Sequence, residues 1–340
     1  MLYYYALLYY NINLKQINTM KKIHLISTLI GLLAFSTISK ADLKVVTSIK
    51  PIHSLASYIM DGVGSPGLIV DGYNSPHSFQ LKPSHAKMLE QADIIFWIGE
   101  DLENFLEKPL ATIAKKAEKI ELLEIKGIKK LKFRERNIFE EHDDHGHDAK
   151  KEEHDDHGHD AKKEEHDDHE GHGHGEYDPH IWLDPINAKV ILNEITEHLI
   201  ENDSKNASTY KSNLAKALAE IDKLIIDVIT ETNTDLSYVV FHDAYQYYEN
   251  RFNVNILGAM TVNPDVMPGA EQIHEIHEVI EHDNVSCILS EPQFNPDIIK
   301  SIAKDTNVKT GVLDPLGANL KPGKDLYFDL IRNMSASFNC

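Results

Sequence analysis

From Leu43 onward, short β-branched and aromatic runs alternate with segments whose apolar positions recur at helical spacing. The runs Leu43 to Ser48, Leu68 to Val70, Asp93 to Ile98 and Ile120 to Ile125 predict strands. Helices are predicted between them, near His53 to Met60, Pro83 to Ala92 and Leu102 to Ala117. Pro83 suits a first helical position, where the missing N–H has no partner to lose. The second half repeats the alternation. Strands are predicted at Tyr238 to Phe241, Val254 to Gly258, Val285 to Ser290 and Val308 to Val312, and helices at Ala270 to Glu281, Pro296 to Asp305 and Leu326 to Ser337. Such alternation builds parallel sheets covered by helices. The predicted fold class is therefore α/β, with two lobes that each hold a mostly parallel sheet flanked by helices. Between them, Leu214, Ala217, Leu218, Ile221, Leu224, Ile225 and Val228 share helical spacing in a stretch without Pro or Gly. Residues 204–232 thus predict one long rigid linking helix, with the first lobe over 42–203 and the second over 233–340.

Two stretches break this pattern. Residues 1–41 carry four Lys and no acid, and Lys21-Lys22 precedes the apolar run Ile23 to Ile38 and the small residues of Ser39-Lys40-Ala41. This reads as a secretory signal cleaved after Ala41. The apolar run falls short of the about 20 residues that a membrane span needs. Residues 1–19 lie upstream of this complete signal, which makes Met20 an alternative start to Met1. No Cys follows the cleavage site, so a soluble periplasmic protein without a lipid anchor is expected. The second break is 140–175, where a twelve-residue unit from Glu140 to Lys151 recurs at 152–163 and begins again at Glu164. Apart from Ala it holds no apolar residue, so it is expected to be a disordered loop.

Charge and chemistry then narrow the function. The 340 residues carry a formal charge of -20, which argues against nucleic acid, whose phosphates need clustered Lys and Arg, and suits a cation. Residues 140–178 hold 17 acids and 4 Lys. The repeat region also holds ten of the 20 histidines: His142, His145, His147, His154, His157, His159, His166, His169, His172 and His174. Imidazoles among carboxylates bind transition metals, although a flexible chain must be ordered to do so and forms an auxiliary, weaker site. The two cysteines, Cys287 and Cys340, are expected to form a disulfide in a secreted chain.

A tight site needs ligands gathered from separate segments. Four residues stand at turns or strand ends: His77 in Ser75-Pro76-His77, His180 in Asp178-Pro179-His180-Ile181-Trp182-Leu183-Asp184, His242 after Val239-Val240-Phe241, and Asp314 after Gly311-Val312-Leu313. Open α/β sheets bind ligands beyond the carboxyl ends of their strands, which would put a site between the lobes. His53 reads as a helix-start or supporting residue. His274, His277 and His282 lack the spacing of a zinc-protease helix and read as a solvated face.

The chain resembles the zinc-binding ZnuA branch of the metal-specific solute-binding proteins of ABC transporters. The stretches that carry the likeness include Ser48-Ile49-Lys50-Pro51, Leu81-Lys82-Pro83-Ser84, His180-Ile181-Trp182-Leu183, Phe241-His242-Asp243-Ala244-Tyr245, Pro268-Gly269, Glu291-Pro292-Gln293-Phe294 and Leu313-Asp314-Pro315-Leu316-Gly317. The resemblance implies two α/β lobes joined by a long helix, with Zn2+ between them on His77, His180 and His242. Asp314 matches a position that completes the site in some members, where others use water or another acid. Manganese-binding relatives place a carboxylate where this chain has His242, and three imidazoles favour zinc over the harder manganese. The expected role is a monomeric periplasmic carrier that delivers Zn2+ to an inner-membrane ABC permease. A secreted zinc hydrolase would need a general base and nucleophile motifs that the sequence does not carry. Metal storage by the His-rich loop leaves two complete lobes unexplained.

Flanking acids stabilise imidazolium, so the loop histidines should titrate at or somewhat above about pH 6.5. Protons compete with zinc at each imidazole, and mild acidification should therefore empty the loop before the preorganised site. Zinc titrations at pH 7.5 and 5.5 would check this: stoichiometry should fall to a single tightly held ion at the lower pH.

Overall fold

The computed structural model describes residues 42–134, 136–139, 175–262, 264 and 268–340. The leader and the His-rich stretch, including its ten histidines, lie outside the described residues. In the first half β1 (Val45–Ile49), β2 (Gly67–Val70), β3 (Ile94–Trp97) and β4 (Glu118–Glu121) form an all-parallel sheet of order β2-β1-β3-β4. In the second half β5 (Ser237–His242), β6 (Asn255–Thr261), β7 (Cys287–Ser290) and β8 (Lys309–Val312) repeat that plan as β6-β5-β7-β8. The central strands β1, β3 and β5 are buried on consecutive positions because helices cover both faces of a parallel sheet. The edge strand β8 is mostly exposed.

The α-helices among the described residues are α1 (Lys50–Ile59), α2 (Pro83–Gln91), α3 (Glu100–Thr112), α4 (Pro185–Asn202), α5 (Ala207–Glu231), α6 (Gln246–Phe252), α7 (Ala270–His282), α8 (Asp297–Thr306) and α9 (Leu326–Ser337). The long helix α5 buries Tyr210, Asn213, Ala217, Ile221, Leu224 and Val228 along one stripe, against α1, α4 and α9. The sequence reading assigns no element to 185–202 or 246–252. Its signal for α4 was present: the Asp184 side chain accepts from the Ile186 N–H at 2.8 Å and Pro185 opens the helix. The strand expected at Ile120 to Ile125 is displaced to Glu118–Glu121. Leu122, Leu123 and Ile125 are buried, but in a turn, and burial without pairing mimics a strand in sequence.

Contacts tie the halves together. The buried Lys50 Nζ donates to the carbonyls of Gly317, Ala318 and Leu320 at 2.8, 2.9 and 2.9 Å, which satisfies all three protons of its ammonium. The Tyr327 N–H of α9 donates to Ser54 Oγ of α1 at 2.9 Å. One hydrophobic core runs from both faces of the first sheet through α5 to Tyr238 and Val240 of the second, and a smaller one fills the other face of the second sheet. The Cys287–Cys340 disulfide joins β7 to the chain end just after α9.

Glu103, in the first turn of α3, is fully buried and its Oε2 accepts from the Ile98 and Gly99 N–H groups at 2.8 and 3.2 Å. Burial outweighs these hydrogen bonds and pushes its carboxyl up to about 7. The folded state therefore holds this proton more firmly than the unfolded chain does. The associated stability is complete below the unfolded value near 4.5 and is lost as pH rises through 7. Glu103→Gln should stabilise the metal-free protein more at pH 8 than at pH 5, by a difference on the order of 3 kcal/mol at most, and raise its melting temperature accordingly. Thermal unfolding of both proteins at the two pH values would check it.

Candidate metal centre

Three of the expected residues meet. His77 lies in the loop after β2, His180 opens a short 3-10 turn before α4, and His242 is the last residue of β5. Each offers a ring nitrogen within 4.8 Å of the others. Their ring centroids are separated by 5.6 Å for His77–His180, 5.4 Å for His77–His242 and 4.9 Å for His180–His242. His180 and His242 are buried and His77 is half-buried. Gln293, Phe294 and Pro315 line the same pocket.

Two carboxylates that the sequence reading did not single out orient these rings. Asp178 Oδ1 accepts from His180 Nδ1 at 2.7 Å and from the His180 backbone at 2.9 Å. Glu291 Oε1 lies 2.9 Å from His242 Nδ1. With both carboxylates ionised they can only accept, and in that state Nδ1 carries the proton in both rings and Nε2 keeps its lone pair. His242 Nε2 is buried and has no hydrogen-bond partner. This donor set suits a cation that takes nitrogen ligands, with carboxylates behind the imidazoles. The register of the second sheet explains the Glu291 contact: Val240 pairs with Leu289, so two residues on, His242 and Glu291 are neighbours.

Burial sets the electrostatics. It holds His180 well below its ordinary value, aided by His242. It opposes protonation of His242 too, but Glu291, with help from Asp243 and Asp178, outweighs it and raises that imidazole. Burial pushes Asp178 up to about 7, against the His180 backbone hydrogen bond and the charges of His242 and Arg134.

Asp314 does not join the three histidines. Its Oδ1 accepts from Leu316 N, Gly317 N and Gln293 Nε2 at 3.1, 3.0 and 3.0 Å, and its Oδ2 accepts from Ala318 N at 2.5 Å. Both oxygens accept from backbone N–H groups of the turn after β8, an Asx-type arrangement. His53 sits inside α1, with Nδ1 3.4 Å from Ser57 Oγ, and is not part of the cluster. His274 and His282 are exposed on α7, as expected for a solvated face. Another group, Glu118, His198 and Glu201, lies at the surface. There His198 lies 2.9 Å from Glu118 and 3.2 Å from Glu194, contacts that account for the grouping.

Residues 45–339 match the model of the family described as "Zinc-uptake complex component A periplasmic". The chain belongs to this family. It is 48% identical over 301 residues to the high-affinity zinc uptake system protein ZnuA of Brucella abortus (strain 2308), covering 86% of this chain and 90% of the relative. The protein of the same name from Yersinia pestis is 36% identical over 319 residues, covering 91% and 94%. Among solved structures, a crystal structure of ZnuA superposes with a TM-score of 0.67 at 21% identity, covering 87% of this chain and 99% of that one. The structural likeness extends to both sheets and the helix joining them, and the family is one of periplasmic zinc-uptake components.

Glu291 raises the basicity of His242 toward metal and proton alike. Glu291→Gln should weaken zinc binding at pH 7.5 by about tenfold to a hundredfold. The deficit should narrow at pH 5.5, because the competing proton loses the same carboxylate. Chelator-competition titrations at the two pH values would check both parts.

Proposed function

We propose that this chain is the periplasmic solute-binding subunit of a zinc ABC importer, a carrier with no catalytic step. It takes Zn2+ between its lobes on Nε2 of His180 and His242 and a ring nitrogen of His77, and passes the ion to an inner-membrane permease. The observation that carries this reading is the convergence of three imidazoles, two of them held by buried carboxylates, with His242 Nε2 left with no hydrogen-bond partner. Three nitrogen donors suit zinc, which favours tetrahedral sites built from nitrogen and sulfur, better than manganese, which favours oxygen. Family membership supports the same cargo. With both Asp314 oxygens engaged by backbone N–H groups, we assign the fourth position to water. The signal segment and the His-rich stretch enter as a leader and an auxiliary metal-binding tract.

The test is substitution. His77→Ala, His180→Ala and His242→Ala should each weaken the tight zinc site by roughly a hundredfold or more, about 3 kcal/mol. His53→Ala and Asp314→Asn should each stay within about tenfold of the parent. Competition against a chelating dye, read at less than one equivalent of zinc, would check the order. If His53→Ala or Asp314→Asn proved the most damaging, the ligand set would be wrong.

A further inference from the structure

Residues 131–134 contact one lobe and residues 136–139 contact the other. The former hold the first lobe's ligand loop: Lys132 and Tyr177 form an antiparallel bridge, Phe133 N donates to Glu176 O at 3.3 Å, and Asp178 N donates to Leu131 O at 2.8 Å. The latter lie along the free edge of β6. Ile138 bridges Gly258, Phe139 N donates to Leu257 O at 2.9 Å, and Ala259 N donates to Asn137 O at 2.8 Å. Gly258 permits this approach, since a Cβ there would sit 2.7 Å from Asn137 O. Between the two anchors stands Arg134. Its Nη1 donates to Asp243 Oδ1 at 2.9 Å and its Nη2 to Glu249 Oε2 at 2.6 Å. The guanidinium carbon lies 3.8 Å from the Phe139 ring centroid.

Asp243 follows His242 directly, and Asp178 precedes His180 by two residues and holds its ring. Asp243 and Asp178 are buried at 4% and 1% exposure. Arg134 is the cation that pairs directly with Asp243 and Glu249, and its charge also acts on Asp178. Removing it would leave buried carboxylates uncompensated on the chain next to a metal ligand. We propose that Arg134 is a positioning residue for the metal centre, locking the segment that carries Asp178 to the segment that carries His242. The inference rests on the zinc reading of the three histidines. Arg134 touches no imidazole. It acts by holding two ligands from different lobes in one arrangement before the ion arrives, which lowers the ordering cost of binding.

The test uses the full-length protein with zinc competition titrations, the visible absorption of one equivalent of Co2+, and melting of the metal-free protein. Arg134→Gln should weaken tight zinc binding by roughly tenfold and alter the Co2+ spectrum. Arg134→Lys, which keeps the charge but can hold only one of the two carboxylates well, should restore part of both. Ile138→Ala trims side-chain packing on residues 136–139 but keeps Arg134 and the backbone anchors in place, and should leave affinity within about threefold. His77→Ala tests the underlying reading: retention of tight binding there would sink the zinc site itself, whatever Arg134 does. The inference is overturned if Arg134→Gln binds like the parent with an unchanged Co2+ spectrum. It is equally overturned if Ile138→Ala loses as much affinity as Arg134→Gln for the same fall in melting temperature. Should Arg134→Gln fail to fold, Arg134→Lys decides, and parent-like affinity and spectrum would refute the assignment.

Discussion

A carboxylate behind a buried imidazole is the interaction on which this site depends. An imidazole taken out of water must place its N–H somewhere, and the ring turns until it does. Asp178 and Glu291 accept that proton from His180 and His242, which fixes the tautomer and aims the remaining lone pair at a common point. Without them the two rings could bury either nitrogen, and the cluster would be an accident of packing. With them, the cost of burying polar atoms is offset in advance, and an ion bound as proposed would meet ligands that are already oriented.

The fold supplies these partners by repetition. Both halves place a central strand between the same neighbours, β2-β1-β3-β4 and β6-β5-β7-β8. Parallel strands carry their loops out at one edge, so the loop after β2, the end of β5 and the turn after β8 can face a shared crevice. Lys50 and α5 then hold the halves together. Lys50 bonds three carbonyls of the segment after β8, and α5 contributes to the core shared by both sheets.

Charge around the centre is arranged for a cation. Asp178, Asp243, Glu249 and Glu291 crowd the region behind the histidines, with Arg134 set among the first three. Each carboxylate would be costly alone in a buried setting. The guanidinium offsets part of that charge and a dication bound as proposed would offset more, which favours a charged guest over an empty pocket. The same burial holds His180 well below its ordinary value, keeping it in the neutral form that metals bind.

Local pattern determined much of this protein. The alternation of apolar runs and helical periodicity specified two parallel α/β lobes, and the 3.6-residue stripe of Leu214 to Val228 specified the connecting helix, because burial preferences repeat within a few residues along the chain. The placement of His77, His180 and His242 at strand ends or turns marked them as candidates for the same reason. Helix α4 was also legible, through Asp184 and Pro185, though periodicity alone did not single it out. Which atoms meet was decided only in three dimensions. Glu291 reaches His242, 49 residues away, because β5 pairs with β7 in one register, and register is a property of the sheet. Asp314 shared the histidines' placement at a strand end or turn, with water or another acid as the alternative. Its carboxylate instead satisfies the N–H groups of its own turn, since an unpaired backbone donor costs as much as a lost hydrogen bond. Arg134 carried no signal at all, because an arginine acquires its role only from the carboxylates that folding brings to it.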